Sequence, residues 1–290
     1  MTRLICVFQE LPVFAEVAEC HRRASERLGF VRIDNARSWS AHRREWDDPE
    51  NVILFWGGHP GIPPVRRARC ALRYTESSGS RDGLISNQQA EQGWLEKNGK
   101  AFDVVFVGTP AVKVHFEPFC KKTVAAPIGY DAGTMGLPDW NAQKSFGLCF
   151  YGSLMGKRQW IVPFLQKRLG SRFSLIHKFG MPRQNVLNRS RGVLYVGHSS
   201  EPGFPGLRLW QAMATSAALV TEDRDAWPAV PWRHYVPIPE AREDDPEKLV
   251  TSLENALSQP LADMARKAHE ELAPYTVDRC LSEYVMKEFP

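Results

Sequence analysis

No stretch of the chain approaches the roughly 20 consecutive apolar residues that a membrane span requires. The opening MTRLICVFQELPVF turns acidic too soon for a secretory leader, so a cytoplasmic protein is expected. Cysteine is scattered: Cys6, Cys20, Cys70, Cys120, Cys149 and Cys280 form no CxxC pair and no closely spaced Cys/His set, which removes disulfide-framework and structural-zinc readings. Neither half carries GxGxxG after its first strand-like run, and the phosphate loop GxxxxGK[ST] is missing, which disfavours dinucleotide enzymes and P-loop kinases. Charge of one sign is not in large excess, the formal net charge being +4 over 290 residues.

What is present is a globular composition, 43% hydrophobic and 24% charged, at a length that suits two domains. Arginines cluster at His21-Arg22-Arg23, His42-Arg43-Arg44 and Arg66-Arg67-Ala68-Arg69. Such clusters either meet phosphates or stand as solvated surface charge.

Short apolar runs rich in β-branched and aromatic residues alternate with helical patterns. The strand candidates of the first half are RLICVF (3–8), FVRID (30–34), NVILFW (51–56), CALRYT (70–75), FDVVFV (102–107) and TVAAP (123–127), with helices near 13–28 and 84–98. In the second half they are FGLCFYG (146–152), FSLIH (173–177), GVLYVG (192–197), AALVT (217–221) and YVPI (235–238), with helices up to 169 and over 183–190, 206–216 and 246–258. Such alternation predicts parallel sheets covered on both faces. The expected fold is therefore α/β, with two doubly wound Rossmann-like domains facing across a cleft: residues 1–130, and 146–275, with 131–145 as linker and 276–290 as a terminal helix.

Two places in the second half have anion-binding character. PGFPGLRLWQAM (202–213) follows the strand GVLYVG, so a turn containing Gly203 and Gly206 opens a helix and aims unpaired backbone N–H groups at its ligand. Arg208 and Gln211 share one face of that helix, about 4.5 Å apart along its axis, a separation suited to a phosphate and a neighbouring ribose hydroxyl. Leu207, Trp210, Ala214 and Ala217 form the expected buried stripe. In FYGSLMGKRQW (150–160), Lys157 and Arg158 follow a loop bracketed by Gly152 and Gly156 and start the next helix. Cations there oppose the helix dipole, and a bound anion would relieve them.

From about residue 123 to 285, the order AAPIGYD, LCFYGSLMGKR, VLYVGHSSEPGFPGLRLWQAMATSAALVTED, HYVPI and DPEKLVTSLENAL resembles the carboxy-terminal half of group 1 glycosyltransferases of the GT-B fold. The likeness is greatest to the branch with spore-maturation-type glycosyltransferases, whose LRxFEAxAxG reads LRLWQAMATSA here. The amino-terminal half is similar in architecture and in pieces such as CALRYTES and FDVVFVGTP. The resemblance implies a nucleotide-diphosphate sugar as donor substrate, held by the second domain, and an acceptor hydroxyl held by the first.

Carried over by position, Arg208 and the Gly203–Gly206 turn contact the diphosphate, Lys157 and Arg158 add positive charge, and Phe179 either stacks on the base or belongs to the core. No cofactor and no metal are expected, since arginine, lysine and helix dipoles can stabilise the leaving diphosphate. Two departures stand out: Gln211 replaces the glutamate that grips the ribose, and Ser216 replaces a glycine. Glu201 stands two residues further from Gln211 than the family's usual pair of glutamates, which leaves its role toward the sugar open.

On the acceptor side, His59, Glu76 and Glu10, with Gln9, lie at strand ends of the first domain and are the candidates for a base. A retaining transfer needs no dedicated base, and the resemblance leans toward retaining relatives. Two other readings stay open: a DNA-modifying transferase whose acceptor is a hydroxylated base in nucleic acid, and a non-catalytic GT-B module, for which Gln211 is the argument.

Overall fold

A computed structural model describes residues 4–8, 15–33, 36–56, 65–74, 97–177, 180–197 and 206–289. The chain forms two compact units, one built on Met1–Gly129, Pro202–Leu207 and Tyr275–Pro290, the other on Tyr130–Glu201 and Arg208–Pro274.

In the first unit the strands are β1 (Leu4–Phe8), β2 (Val31–Ile33), β3 (Val52–Trp56), β4 (Arg69–Arg73), β5 (Val104–Val107) and β6 (Thr123–Ala125). They make a parallel sheet in the order β2-β1-β3-β4-β5-β6. Every residue of β3 is buried, as expected of a strand covered on both faces. On one face Ile5, Val7, Ile53, Phe55, Leu72, Val105 and Val107 pack with Trp39 of the Ala36–Trp46 helix and Phe116 of the Pro110–Phe116 helix. The latter helix begins with Thr109 as N-cap and Pro110 at its first position, a favoured start. On the other face lies the Ala15–Arg27 helix, where Arg27 pairs with Asp278 at 2.6 Å. Lys122 pairs with Glu288 in the same unit, so the carboxy-terminal segment is tied to the first sheet.

The second unit repeats the plan with β7 (Phe146–Tyr151), β8 (Phe173–Ile176), β9 (Ser190–Tyr195), β10 (Ala218–Glu222) and β11 (Tyr235–Ile238). The order is β11-β10-β9-β7-β8, all parallel. Leu148, Phe150, Leu194, Val220, Val236 and Ile238 meet Ile161, Val162 and Leu165 of the Arg158–Leu169 helix and Leu253 of the Pro246–Ser258 helix. Each such side chain taken out of water contributes about 1.5–3 kcal/mol. Residues 131–145, of linker composition, are bonded within this unit: Lys144 Nζ donates to the carbonyls of Asn188 (2.9 Å) and Ser216 (2.7 Å), and Asp139 N donates to Asn188 Oδ1 at 3.2 Å.

Each sheet is doubly wound, and its strand order reverses between the first strand and the third. In the second unit that reversal lies between β7 and β9, and crevices at such points, beyond the carboxyl ends of the strands, are where open parallel sheets take ligands. No helix among the described residues is long and apolar enough to cross a membrane.

Candidate functional site

The site begins where β7 ends. Tyr151 is its last residue, and Gly152 follows with φ +129°, a conformation that L side chains rarely adopt. A Cβ on Gly152 would stand 2.6 Å from Arg208 Nη2. The glycine therefore leaves room for that guanidinium to lie against the backbone.

Arg158 closes this loop from the other end. It is 2% exposed, Nε donates to Val196 O at 2.7 Å, and its guanidinium lies 5.1 Å from the Tyr195 ring centre and 5.6 Å from that of Phe150. The start of the Arg158–Leu169 helix is thereby fixed to the end of β9. The charge is buried and engaged, unlike a solvated cation at a helix start.

Two further arginines meet the ring of Tyr151. Arg208, in the Gly206–Met213 helix, has its guanidinium carbon 4.0 Å from the ring centre, and Arg183, in the Gly180–Asn188 helix, stands at 5.0 Å. Among the described residues Arg208 has no hydrogen bond or ion pair. Burial pushes its pKa down, and the like charges of Arg158 and Arg183 act in the same direction, against Tyr151 and Tyr195. A partly exposed guanidinium near other cations can attract an anion.

One helical turn on from Arg208, Gln211 is buried and its Oε1 accepts the Tyr151 hydroxyl at 2.7 Å. Thr215 is also fully buried, so exposure on the face shared by Arg208, Gln211 and Thr215 falls from Arg208 inward. Ser216 is built into the packing: its N donates to Asn188 Oδ1 at 2.8 Å and its hydroxyl to Asn188 O at 3.1 Å. A glycine here would forgo the hydroxyl bond.

Lys157 is engaged by carboxylates. Its Nζ pairs with Glu222 at 2.5 Å and with Glu240 at 2.9 Å. Glu222, the last residue of β10, is completely buried. Oε1 also accepts from Ala241 N at 3.0 Å, and Oε2 accepts from Gly197 N at 2.8 Å and Arg224 Nη2 at 2.9 Å. Four donors fill the lone-pair directions of one carboxylate. Glu222 so binds together the segments following β7, β9, β10 and β11.

Tyr151, Arg183 and Glu222 of this candidate site are not among the residues the sequence singles out. Each is an ordinary member of a strand or helix, and only strand-end position on a doubly wound sheet would have marked Tyr151 and Glu222. Gly206 opens the predicted helix. Phe179, Glu201 and Gly203 lie outside the described residues, as do His59, Glu76, Glu10 and Gln9.

Part of the arginine-cluster charge is paired locally. Arg22 pairs with Glu19 and with Glu26 at 3.0 Å, Arg23 with Glu19 at 2.8 Å, and Arg67 with Asp48 at 4.0 Å. His21 is buried, and His42 stacks on Trp46 with ring centres 4.6 Å apart.

No protein-family model and no curated protein matches the sequence. Solved structures do match the fold. Sucrose-phosphate synthase from Thermosynechococcus elongatus is 11% identical with a TM-score of 0.68, over 99% of this chain and 98% of that one. Anabaena HepE, in complex with UDP and glucose, is 9% identical with a TM-score of 0.64 over the full length of both chains. TarM is 12% identical with a TM-score of 0.59; the match covers 84% of this chain but only 56% of TarM. At such identities the likeness is one of fold, two parallel sheets each with alternating helices.

Proposed function

We propose that the protein is a glycosyltransferase, akin to the spore-maturation-type branch, that transfers a sugar from a nucleoside diphosphate to an acceptor hydroxyl with retention and without a metal. The observation that carries this reading is Arg208. Its guanidinium stands at the switch point of the second sheet, against Gly152 and over the Tyr151 ring, with no hydrogen bond or ion pair among the described residues. UDP is the nucleotide proposed, since HepE, of the same fold, was solved with UDP and glucose.

In this reading Arg208 and the helix start at Gly206 receive the diphosphate, while Gln211 turns toward the ribose. As the glycosidic bond breaks, negative charge grows on the leaving diphosphate, and a fixed guanidinium beside a helix N-terminus stabilises that charge more than it stabilises the ground state. Arg158 and Lys157 act indirectly. Bonded to Val196 O and to Glu222 and Glu240, they hold the loop after Gly152 in shape. The first unit holds the acceptor, with a base from His59, Glu76 or Glu10 needed only if the transfer inverts.

The test is a thermal-shift panel of nucleoside diphosphates and their sugars on wild type and Arg208→Ala. A diphosphate should raise the melting temperature of wild type and leave Arg208→Ala unmoved, with the unliganded proteins melting alike. An equal shift in both would remove Arg208 from the site. Hydrolysis of a bound UDP-sugar in the absence of acceptor would remove the non-catalytic reading.

A further inference from the structure

The first sheet holds a cation in its interior. Arg73, the last residue of β4, is 2% exposed, and in register it stands beside Trp56 of β3 and Phe106 of β5. Its Nε and Nη1 have no hydrogen-bond partner among the described residues. Among the described residues the titratable group acting on it is Cys280, whose thiol is pushed by burial up to about 12 and is neutral at pH 7. Burial brings the guanidinium down to about 10, which still leaves it protonated at neutral pH.

A buried charge without a counter-charge costs several kcal/mol. Aromatic residues on the adjoining strands lower the local dielectric and so raise both that cost and the gain from meeting an anion. Arg73 also lies at the carboxyl end of its strand, the ligand side of a parallel sheet.

We infer that Arg73 anchors an oxyanion, a phosphate or a carboxylate, carried by the acceptor substrate. That the ligand is an acceptor rests on the glycosyl-transfer reading; the anion site itself does not. A guanidinium offers a planar set of N–H donors that suits either oxyanion. A neutral sugar brings no charge to the buried cation. Arg73 thus selects acceptors by charge.

The experiment uses the full chain saturated with UDP, so that the donor site does not report, and titrates glucose 6-phosphate, glucuronate, glucose and inorganic phosphate against melting temperature. Wild type should be stabilised by glucose 6-phosphate or by glucuronate, the responding one naming the oxyanion, and not by glucose. Arg73→Met should bind the responding sugar more than about tenfold more weakly, with its response to UDP unchanged.

No response in wild type, an equal response in Arg73→Met, or inorganic phosphate binding as tightly as the sugars would overturn the proposal. If Arg73→Met does not fold, Arg73→Lys keeps the charge without the planar fork; affinity equal to wild type in that variant would overturn it too. A wild type that ignores UDP yet takes the anionic sugar in an Arg73-dependent way would sink the glycosyl-transfer reading and leave the anion site standing.

Discussion

The Tyr151 hydroxyl donates to Gln211 Oε1 at 2.7 Å while the face of the same ring carries Arg208 at 4.0 Å. One side chain thus serves two residues of the proposed donor site, and its two functions separate by substitution. Tyr151→Phe removes the hydroxyl and leaves a buried amide oxygen short of a donor, at a cost of about 1–2 kcal/mol. It keeps the ring, so the UDP-induced thermal shift should persist. Tyr151→Leu removes the ring as well, and UDP affinity should fall by about 0.5–2 kcal/mol, the scale of a cation–π contact. Urea unfolding and UDP titration of both variants decide this; equal UDP affinity in wild type and Tyr151→Leu would dissociate the ring from the site.

Gln211 stands where the resembling family has glutamate. Gln211→Glu can still accept the Tyr151 hydroxyl and gains a stronger acceptor for ribose hydroxyls, so UDP binding should hold or tighten. Gln211→Ala should weaken it by about 1–2 kcal/mol. With 2′,3′-dideoxy-UDP the wild type and Gln211→Ala should bind alike. Calorimetry showing an equal loss for both ligands would make Gln211 a support of the helix that does not read the ribose.

The eleven strand runs marked in the sequence each overlap an observed strand, with β4, β9 and β10 shifted by one or two residues, because strands buried on both faces are continuous apolar runs that turn residues interrupt. Helices fared unevenly. The Ala36–Trp46 helix stands out in the sequence only as an arginine cluster, although Trp39 and Trp46 are one heptad apart. Leu261–Leu272 is absent from the expected helices although Leu261, Met264, Ala265, Ala268 and Leu272 form one buried stripe. Arg208 and Gln211 could be picked out because a glycine-rich turn before a helix is a local pattern. Tyr151, Arg183 and Glu222 acquire meaning only when the ends of β7, β9 and β10 come together, and no local period encodes that.

Glu222 joins four chain segments through one buried carboxylate. Glu222→Ala should cost about 3–5 kcal/mol, because Lys157 and Arg224 lose a partner and two backbone N–H groups are left without an acceptor. Denaturant unfolding measures this. A loss under about 1 kcal/mol would show that Glu240 alone can hold the two cations.

Asp47 gives the fold an acid-sensitive point. Burial works to raise its pKa, but backbone N–H groups of Ala68, Arg67 and Arg66, with the charge of Arg43, more than reverse this and hold it below the ordinary carboxylate value. The stabilisation is therefore complete above the unfolded pKa of about 3.9 and is lost as pH falls through the lower folded value. Asp47→Asn should be about 1–3 kcal/mol less stable than wild type at pH 7, with the difference shrinking below about pH 4. A gap unchanged between pH 7 and pH 3 would show that the bonds do not depend on the charge.

Gly152 tests the link between backbone shape and donor binding. At φ +129° an alanine is strained, at about 1–3 kcal/mol, and its Cβ would press on Arg208 Nη2 from 2.6 Å and stand 3.5 Å from Arg158 Nη1. The atom in the way is the tip of a long side chain, so Arg208 can swing aside and the variant should fold at reduced stability. The displaced guanidinium then no longer meets the diphosphate. Gly152→Ala should bind UDP more than about tenfold more weakly, a loss on the scale of a charged hydrogen bond. Strain alone would lower the melting temperature without selecting against UDP, and a double-mutant cycle separates the two effects. If Gly152 acts through Arg208, Gly152→Ala combined with Arg208→Ala should bind UDP no worse than Arg208→Ala alone. Calorimetric losses that add in full would mean that Gly152 serves the ligand by a route of its own, such as direct approach of its backbone, and that Arg208 is not the group it makes room for.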